Sequence, residues 1–506
     1  MRKRITVTLG LPIVVAIGLS ACSSSKGADQ SSNNGKATQG ASVTLTINGE
    51  PTTLDPQARD DGNLRDVDDN IYETLLTRSP DGTKLEPLLA SAMPNRIDPT
   101  TWQFQLRQDV KFTDGEPFDA ASAAYSINRI IAPKFNSELL GSISTITGAK
   151  AAGQYTLDVT TKAPDPILPS RMYFISMMAP NAKDPAKTPV GTGPYVLKTW
   201  ANGDHITLTA NPDYWGSKPS ITTATFNYPQ ESGTRLAQLL SGKTDLVTNL
   251  LPTDAKSAPQ LLVAPGDNHA TLILNAESGV TADVRVRQAL NYAVNTPELA
   301  TSLFDGHATP DACQVMDKSW FGYNPDLKPF EYNKDKAKEL LQQAGAVGKT
   351  INIVGDASGR WLADRDFVQA IAQAWRSVGL KVNVQLLQFN QYLDKLFNQP
   401  ARPDAVMVYT DNSLFDADRT ISTYYEHGGS GASNNDSQIS QLADAARSDL
   451  DTTSRLQDYN KILQAGCDQA LFYFGLHVED LYGASKRLHW TPRADSQIYL
   501  NQMSVS

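Results

Sequence analysis

The apolar residues of this chain recur with two periods, and the change from one to the other divides it. Val43 to Ile47 (V-T-L-T-I) alternates apolar and polar, the pattern of a half-buried strand. Trp102 to Leu106 reads as another strand, and Lys111 to Gly115 as a strand entering a turn. Tyr195 to Trp200, His205 to Ala210 and Ile221 to Tyr228 are strands separated by Asn, Pro and Gly turns. Leu272 to Asn275 is one more. Among them, Asp119 caps a helix whose Ala120, Ala123, Ala124, Ile127 and Ile131 share a face. Thr234 to Leu240 predicts a short helix.

From Asp283 onward helices alternate with strands. Val286, Ala289, Leu290 and Ala293 fall on one helical stripe, and Lys334 to Ala344 predicts a second helix ending at Gly345. A strand over Thr350 to Val354, a loop and a helix over Leu362 to Val378 follow. Lys381 to Leu387 and Ala405 to Tyr409 are strands, and Arg455 to Cys467 is a helix with Leu456, Tyr459 and Leu463 inward. This alternation over 283–470 predicts an α/β domain. One segment has no apolar period of its own. Arg59 to Asn70 holds Asp60, Asp61, Asp66, Asp68 and Asp69 at spacings unlike a calcium loop, and reads as solvated.

Length and charge narrow the classes. A single core rarely exceeds about 250–300 residues, so a chain of 506 residues predicts more than one domain. The 45 Lys and Arg against 54 Asp and Glu leave a net charge of −9, which argues against nucleic acid as a partner. At the N-terminus Arg2, Lys3 and Arg4 precede an apolar run from Ile5 to Leu19, too short to span a bilayer. Leu19-Ser20-Ala21-Cys22 follows and resembles a bacterial lipobox, so 1–21 is expected to leave as a signal, with lipid on Cys22. Residues 22–42 are poor in apolar residues and read as a flexible tether. Cys313 and Cys467 remain, as a disulfide or as two separately buried thiols.

Catalytic patterns fail one by one. Gly345-Ala346-Val347-Gly348-Lys349-Thr350 is two residues short of a phosphate loop, and Gly428 to Ala432 lacks the last glycine of a nucleophile elbow. The six histidines form no metal pair, and His477 with Glu479 reads as structural. No enzyme activity, metal or cofactor is expected. Binding is better supported. Ligands on open α/β sheets sit at the carboxyl ends of strands. Arg360-Trp361 follows the 350–354 strand, and Asp411-Asn412 follows Tyr409. An arginine can clamp a carboxylate and an aspartate can hold an ammonium, so Arg360 and Asp411 together suit a zwitterion. Tyr409, Asn412 and Trp361 complete the candidate site.

Several segments together resemble the family 5 solute-binding proteins of ABC transporters. They are K-F-T-D-G-E-P-F-D-A from Lys111 with Tyr125, Ser126 and Arg129; V-G-T-G-P-Y from Val190; N-P-D-Y-W-G from Asn211; Asp283 to Ala293; and A-K-E-L-L-Q-Q-A-G from Ala337. The resemblance implies an α/β fold, a bilobal Venus flytrap of the class II periplasmic-binding type with an extra inserted domain. It implies a discontinuous domain I (43–66, 190–277 and 478–506), domain II (67–189) and domain III (278–477). It further implies a monomer, held at the outer face of the membrane by its lipid, that passes a short peptide to a permease with a separate ATPase. A sugar, metal chelate or opine is the alternative ligand. Asp411 resembles the residue that receives a peptide's amino terminus, although Val408-Tyr409-Thr410 replaces the family's Gly-Trp stretch and Leu414-Phe415-Asp416 its usual Asp-Pro. Arg360, upstream of Ala372-Gln373-Ala374-Trp375, resembles the arginine of the dipeptide branch.

Overall fold

The computed structural model describes residues 40–398, 402–412 and 414–506. The signal segment, Cys22 and nearly all of the tether lie outside them. Ala41 and Ser42 belong to the fold, because the first strand is Ala41–Thr46 and pairs in parallel with Ile221–Asn227. Among the described residues, eleven strands share one mixed sheet. Its path runs from Tyr195–Ala201 through His205–Ala210, Ile221–Asn227, Ala41–Thr46 and Leu246–Val247 to Phe472–Ala484. It continues through Gln260–Leu274, Ala405–Thr410 and Thr350–Asp356 to Lys381–Leu387. Every residue of Ala405–Thr410 is buried, as expected of an apolar run covered on both faces.

Three apolar cores lie along this path and beside it. The first gathers Val43, Leu45, Leu64, Ile206, Phe226 and Leu500. The second, over Phe104, Phe118, Ile127 and Leu157, packs the Ala120–Ile130 helix on a separate four-stranded sheet. The third holds Leu272, Leu290, Ile353, Phe367, Val406 and Leu463. Gln260–Leu274 and Phe472–Ala484, of 15 and 13 residues, run antiparallel and belong to two cores at once. Ala264 and Tyr482 pack in the first core, whereas Leu272 and Phe472 pack in the third. Their pairing slips midway: Ala264 faces Asp480 but Asn268 faces Val478, so residues 265–267 bulge opposite Glu479.

Local chemistry explains two motifs. Asp119 accepts hydrogen bonds from the Ala121 and Ser122 amides while Ser122 Oγ meets the Asp119 amide, a reciprocal helix cap. Gly191 and Gly193 run against the backbone at Ile71, where an added Cβ would lie 2.1 and 2.6 Å from the Ile71 oxygen. Between them Thr192 donates to Glu73, and Tyr214 and Trp215 donate to the same carboxylate, each at 2.8 Å. The V-G-T-G-P-Y and N-P-D-Y-W-G segments thus meet on one buried glutamate, whose pKa burial raises to about 7.

Some expectations change. Lys111 to Gly115 is no strand and keeps only a bridge from Lys111 to Pro117. Leu272 to Asn275 proves to be the end of the long Gln260–Leu274 strand. Residues 59–70 are not a solvated segment: Gly62–Asp68 is a helix that buries Leu64 and Val67 and also Asp68. Cys313 and Cys467 are joined as a disulfide with their Cα atoms 5.2 Å apart. No helix among the described residues is long and apolar enough to cross a membrane.

Candidate ligand-binding cleft

Thr350–Asp356 and Ala405–Thr410 are neighbouring parallel strands, with Ile353 opposite Ala405. Their carboxyl ends therefore lie side by side, and the loops that follow bring Arg360, Trp361 and Asp411 together. These three and Tyr409 line one cavity of about 770 Å³. Trp361 stacks on Tyr409, with ring centres 5.7 Å apart and planes 14° apart, and meets Tyr392 edge-on at 5.8 Å. The Arg360 guanidinium lies 4.2 Å over the Phe389 ring. Tyr409 Oη donates to the Leu362 carbonyl at 2.6 Å, so it offers the cavity a ring face rather than a hydroxyl. Aromatic faces of this kind accept varied side chains without demanding particular donors.

Asn412 does not join this group. It is 0% exposed and its Nδ2 donates to the Asp416 carbonyl at 2.8 Å and to Thr420 Oγ1 at 2.9 Å. Its amide holds the turn after the strand instead of facing the ligand. Asp416 in turn pairs with Arg455 at 2.5 Å, and Phe415 receives the Arg78 guanidinium at 4.2 Å. The Leu414-Phe415-Asp416 departure from the family pattern thus joins the third core to the second.

The opposite wall is the acidic segment. Asp60, Asp61, Arg65 and Asp66 all line the cavity. Arg65 reaches Asp411 Oδ2 at 3.3 Å and also pairs with Asp60, while Arg419 lies 3.0 Å from Asp60 and 3.2 Å from Asp411 Oδ1. Asp61 pairs with Arg360 at 2.9 Å. The Arg360 carbonyl accepts from Asn48 and Asn249 at 2.8 and 3.2 Å. Leu64 packs in the first core, whereas Tyr409 and Ile421 pack in the third, so these contacts cross the cleft. Burial opposes the charged form of Asp60, but the guanidinium groups of Arg419 and Arg65 outweigh it and hold its pKa below the ordinary range. Sequence reasoning missed this wall because five aspartates mask the Leu64, Val67 and Ile71 stripe, the one signal that would have shown a buried helix face.

The profile of the bacterial extracellular solute-binding proteins, family 5, matches residues 84–432. The chain belongs to this family. It is similar to the nickel-binding periplasmic protein of Escherichia coli, at 32% identity over 294 residues, which is 54% of this chain and just over half, 56%, of that protein. It is similar to the oligopeptide-binding protein AppA of Bacillus subtilis, at 23% identity over 427 residues and 78% of each chain. Its fold matches that of the periplasmic binding protein DppA from Helicobacter pylori in complex with the peptide STSA. The TM-score is 0.82 at 22% identity, over 92% of this chain and 98% of that one. The architecture is thus the bilobal α/β flytrap, the two long strands connecting its lobes. The family's role is extracellular solute binding.

Proposed function

We propose that this protein captures short peptides in the cleft between its lobes and delivers them to an ABC permease that a separate ATPase drives. The observation that carries the assignment is the meeting of Asp411 and Arg360, from adjacent strand ends, on one aromatic-lined cavity. Among the described residues the Arg360 guanidinium has one ion-pair partner, Asp61, and makes no hydrogen bond, so its Nε and Nη1 can take a peptide carboxylate. Each Asp411 oxygen touches an arginine at more than 3.1 Å, longer than a tight charge-assisted bond, and keeps a lone pair for an ammonium group. Backbone hydrogen bonds and the two termini then supply affinity, with side chains loosely specified. Closure is favoured by contacts that a ligand makes to both lobes at once.

The same proposal includes a discontinuous domain I (43–66, 190–277 and 478–506), a domain II over 67–189 and a domain III over 278–477. It places lipid on Cys22 and a monomer at the outer face of the membrane, so Cys22→Ala should release the protein into the soluble fraction. Calorimetry on Asp411→Asn tests the binding role. Loss of a hydrogen bond to a charged group is worth about 1.5–3 kcal/mol, or roughly 10–100-fold in affinity. The variant should lose that much for free-amine peptides and nothing for N-acetylated ones. Equal losses for both would remove the ammonium role from Asp411.

A further inference from the structure

At the floor of the cleft, near the bulge in the long strand Gln260–Leu274, two carboxylates stand without an ion-pair partner among the described residues. Asp267 is 4% exposed yet lines the cavity. Its Oδ1 lies 3.5 Å from Ser496 Oγ and from Asn268 Nδ2, and its Oδ2 accepts no hydrogen bond among the described residues. Ser496 Oγ donates to Asp480 Oδ2 at 2.5 Å, so one hydroxyl stands between two carboxylates. Among the described residues no ion pair involves Asp267 or Asp480. Arg65 and Arg419, on the same cavity, are engaged by Asp60 and Asp411.

A separate observation marks the same place. Gln497, next to Ser496 and only 5% exposed, also lines the cavity. Its Nε2 donates to the Asp495 carbonyl at 3.0 Å, while its Oε1 has no partner among the described residues. A buried amide oxygen without a donor is destabilising, and so is a buried carboxylate without a cation. The chemistry lacking on this floor is a group made only of donors and carrying positive charge. Guanidinium and ammonium meet that description.

The backbone is shaped to present these acceptors. The bulge at 265–267 turns Asp267 out of the strand pairing. Gly266 takes φ +68°, where an added Cβ would meet the Val478 oxygen at 2.7 Å. His477 Nε2 lies 3.1 Å from the Gly266 oxygen and steadies the bulge, the structural role its sequence context implied. Ser496 holds φ +58°, uncommon for a residue with a side chain. Burial, then the nearby Asp411 and Asp480, push the Asp267 carboxyl well up against the weaker pull of Arg65 and Arg419, and burial brings Asp480 to about 6.

We propose that this floor is a subsite for the cationic side chain of a basic peptide, with Asp267 and Asp480 opposing its charge and Gln497 Oε1 accepting a further hydrogen bond. The subsite deepens the peptide assignment and rests on it. Calorimetric titration of the whole purified protein with Ala-Arg-Ala and Ala-citrulline-Ala tests it, because citrulline keeps the shape of arginine without its charge. The arginine peptide should bind at least about tenfold tighter, as expected for charged hydrogen bonds. In Asp267→Asn and in Asp480→Asn that ratio should fall to about twofold or less, with citrulline-peptide affinity retained. Equal binding of the two peptides by the unaltered protein, or a ratio that survives both substitutions, would overturn the subsite and leave peptide capture standing. If one variant does not fold, the other carries the comparison. Agmatine, a guanidinium without a peptide bond, separates the two claims. If neither peptide binds but agmatine binds and Asp267→Asn abolishes it, the subsite stands and the peptide assignment falls. If no probe binds, the subsite is overturned too.

Discussion

Two acidic regions of this molecule are buried to a similar degree and behave in opposite ways. Where the lobes meet around Asp60 and Asp418, each carboxylate faces arginine from across the cleft, and the pKa of each is held below the ordinary range. At Asp267 and Asp480, which line the same cavity as Asp60, no arginine forms an ion pair among the described residues and both are raised. Burial is the common term and favours protonation in both places; the arginines outweigh it at Asp60 and Asp418, whereas Arg65 and Arg419 act on Asp267 too weakly to do so. The compensated region joins the lobes. The uncompensated one is left for what enters between them.

The largest expected effect breaks the compensated side. Arg171, in the second core, lies 2.7 Å from both Asp165 and Asp418, with all three side chains nearly inaccessible. Arg171→Met strands Asp165 and leaves Asp418 with Arg447, 3.1 Å away, and should cost about 3–5 kcal/mol, read as a lower denaturation midpoint. An unchanged midpoint would mean that this buried ion pair contributes little to holding the lobes together.

The reverse sign is expected on the uncompensated side. Asp480 titrates near 6 in the folded chain against an ordinary value of 3.8. A carboxyl raised on folding binds extra protons in the folded state, so its contribution is full below the unfolded value and is lost as pH rises through about 6. The groups facing it are Ser496, Tyr482, Asp267 and Asp66, none of them cationic. Asp480→Asn should therefore be more stable than the unaltered protein at pH 7.5, by roughly 2–3 kcal/mol, and equal to it near pH 4. Chemical denaturation at both pH values reads the difference. A variant less stable at pH 7.5 would show that Asp480 is compensated after all.

The smallest effect sharpens the role of the aromatic wall. Tyr409→Phe removes the bond to the Leu362 carbonyl and should cost about 1 kcal/mol of stability, with peptide affinity unchanged. A large loss of affinity would mean that the hydroxyl, and not the ring face, meets the ligand.

What the sequence made legible divides along the same line. Regular periods gave the helices over Lys334–Gln343 and Asp364–Ser377 and the strand Lys381–Leu387 nearly to the residue. The strand ends that carry Arg360 and Asp411 followed from those periods, because a sheet places its carboxyl ends together. Asn412 was mistaken for a cleft residue, since adjacency in sequence does not tell which neighbour turns inward. The acidic wall was hidden by its composition. The floor was hidden more deeply. Pro265, Gly266, Asp267 and Asn268 look like a turn, yet they interrupt one continuous strand, and their partners Asp480 and Ser496 come from the far end of the chain. No local pattern joins such residues; only the pairing of the two long strands does.

Native mass spectrometry of the purified protein, followed by denaturation and sequencing of whatever is released, tests the central claim most directly. The account predicts a bound mass that resolves into short peptides enriched in arginine and lysine. A mass that resolves into a metal chelate, a sugar or an opine would contradict it.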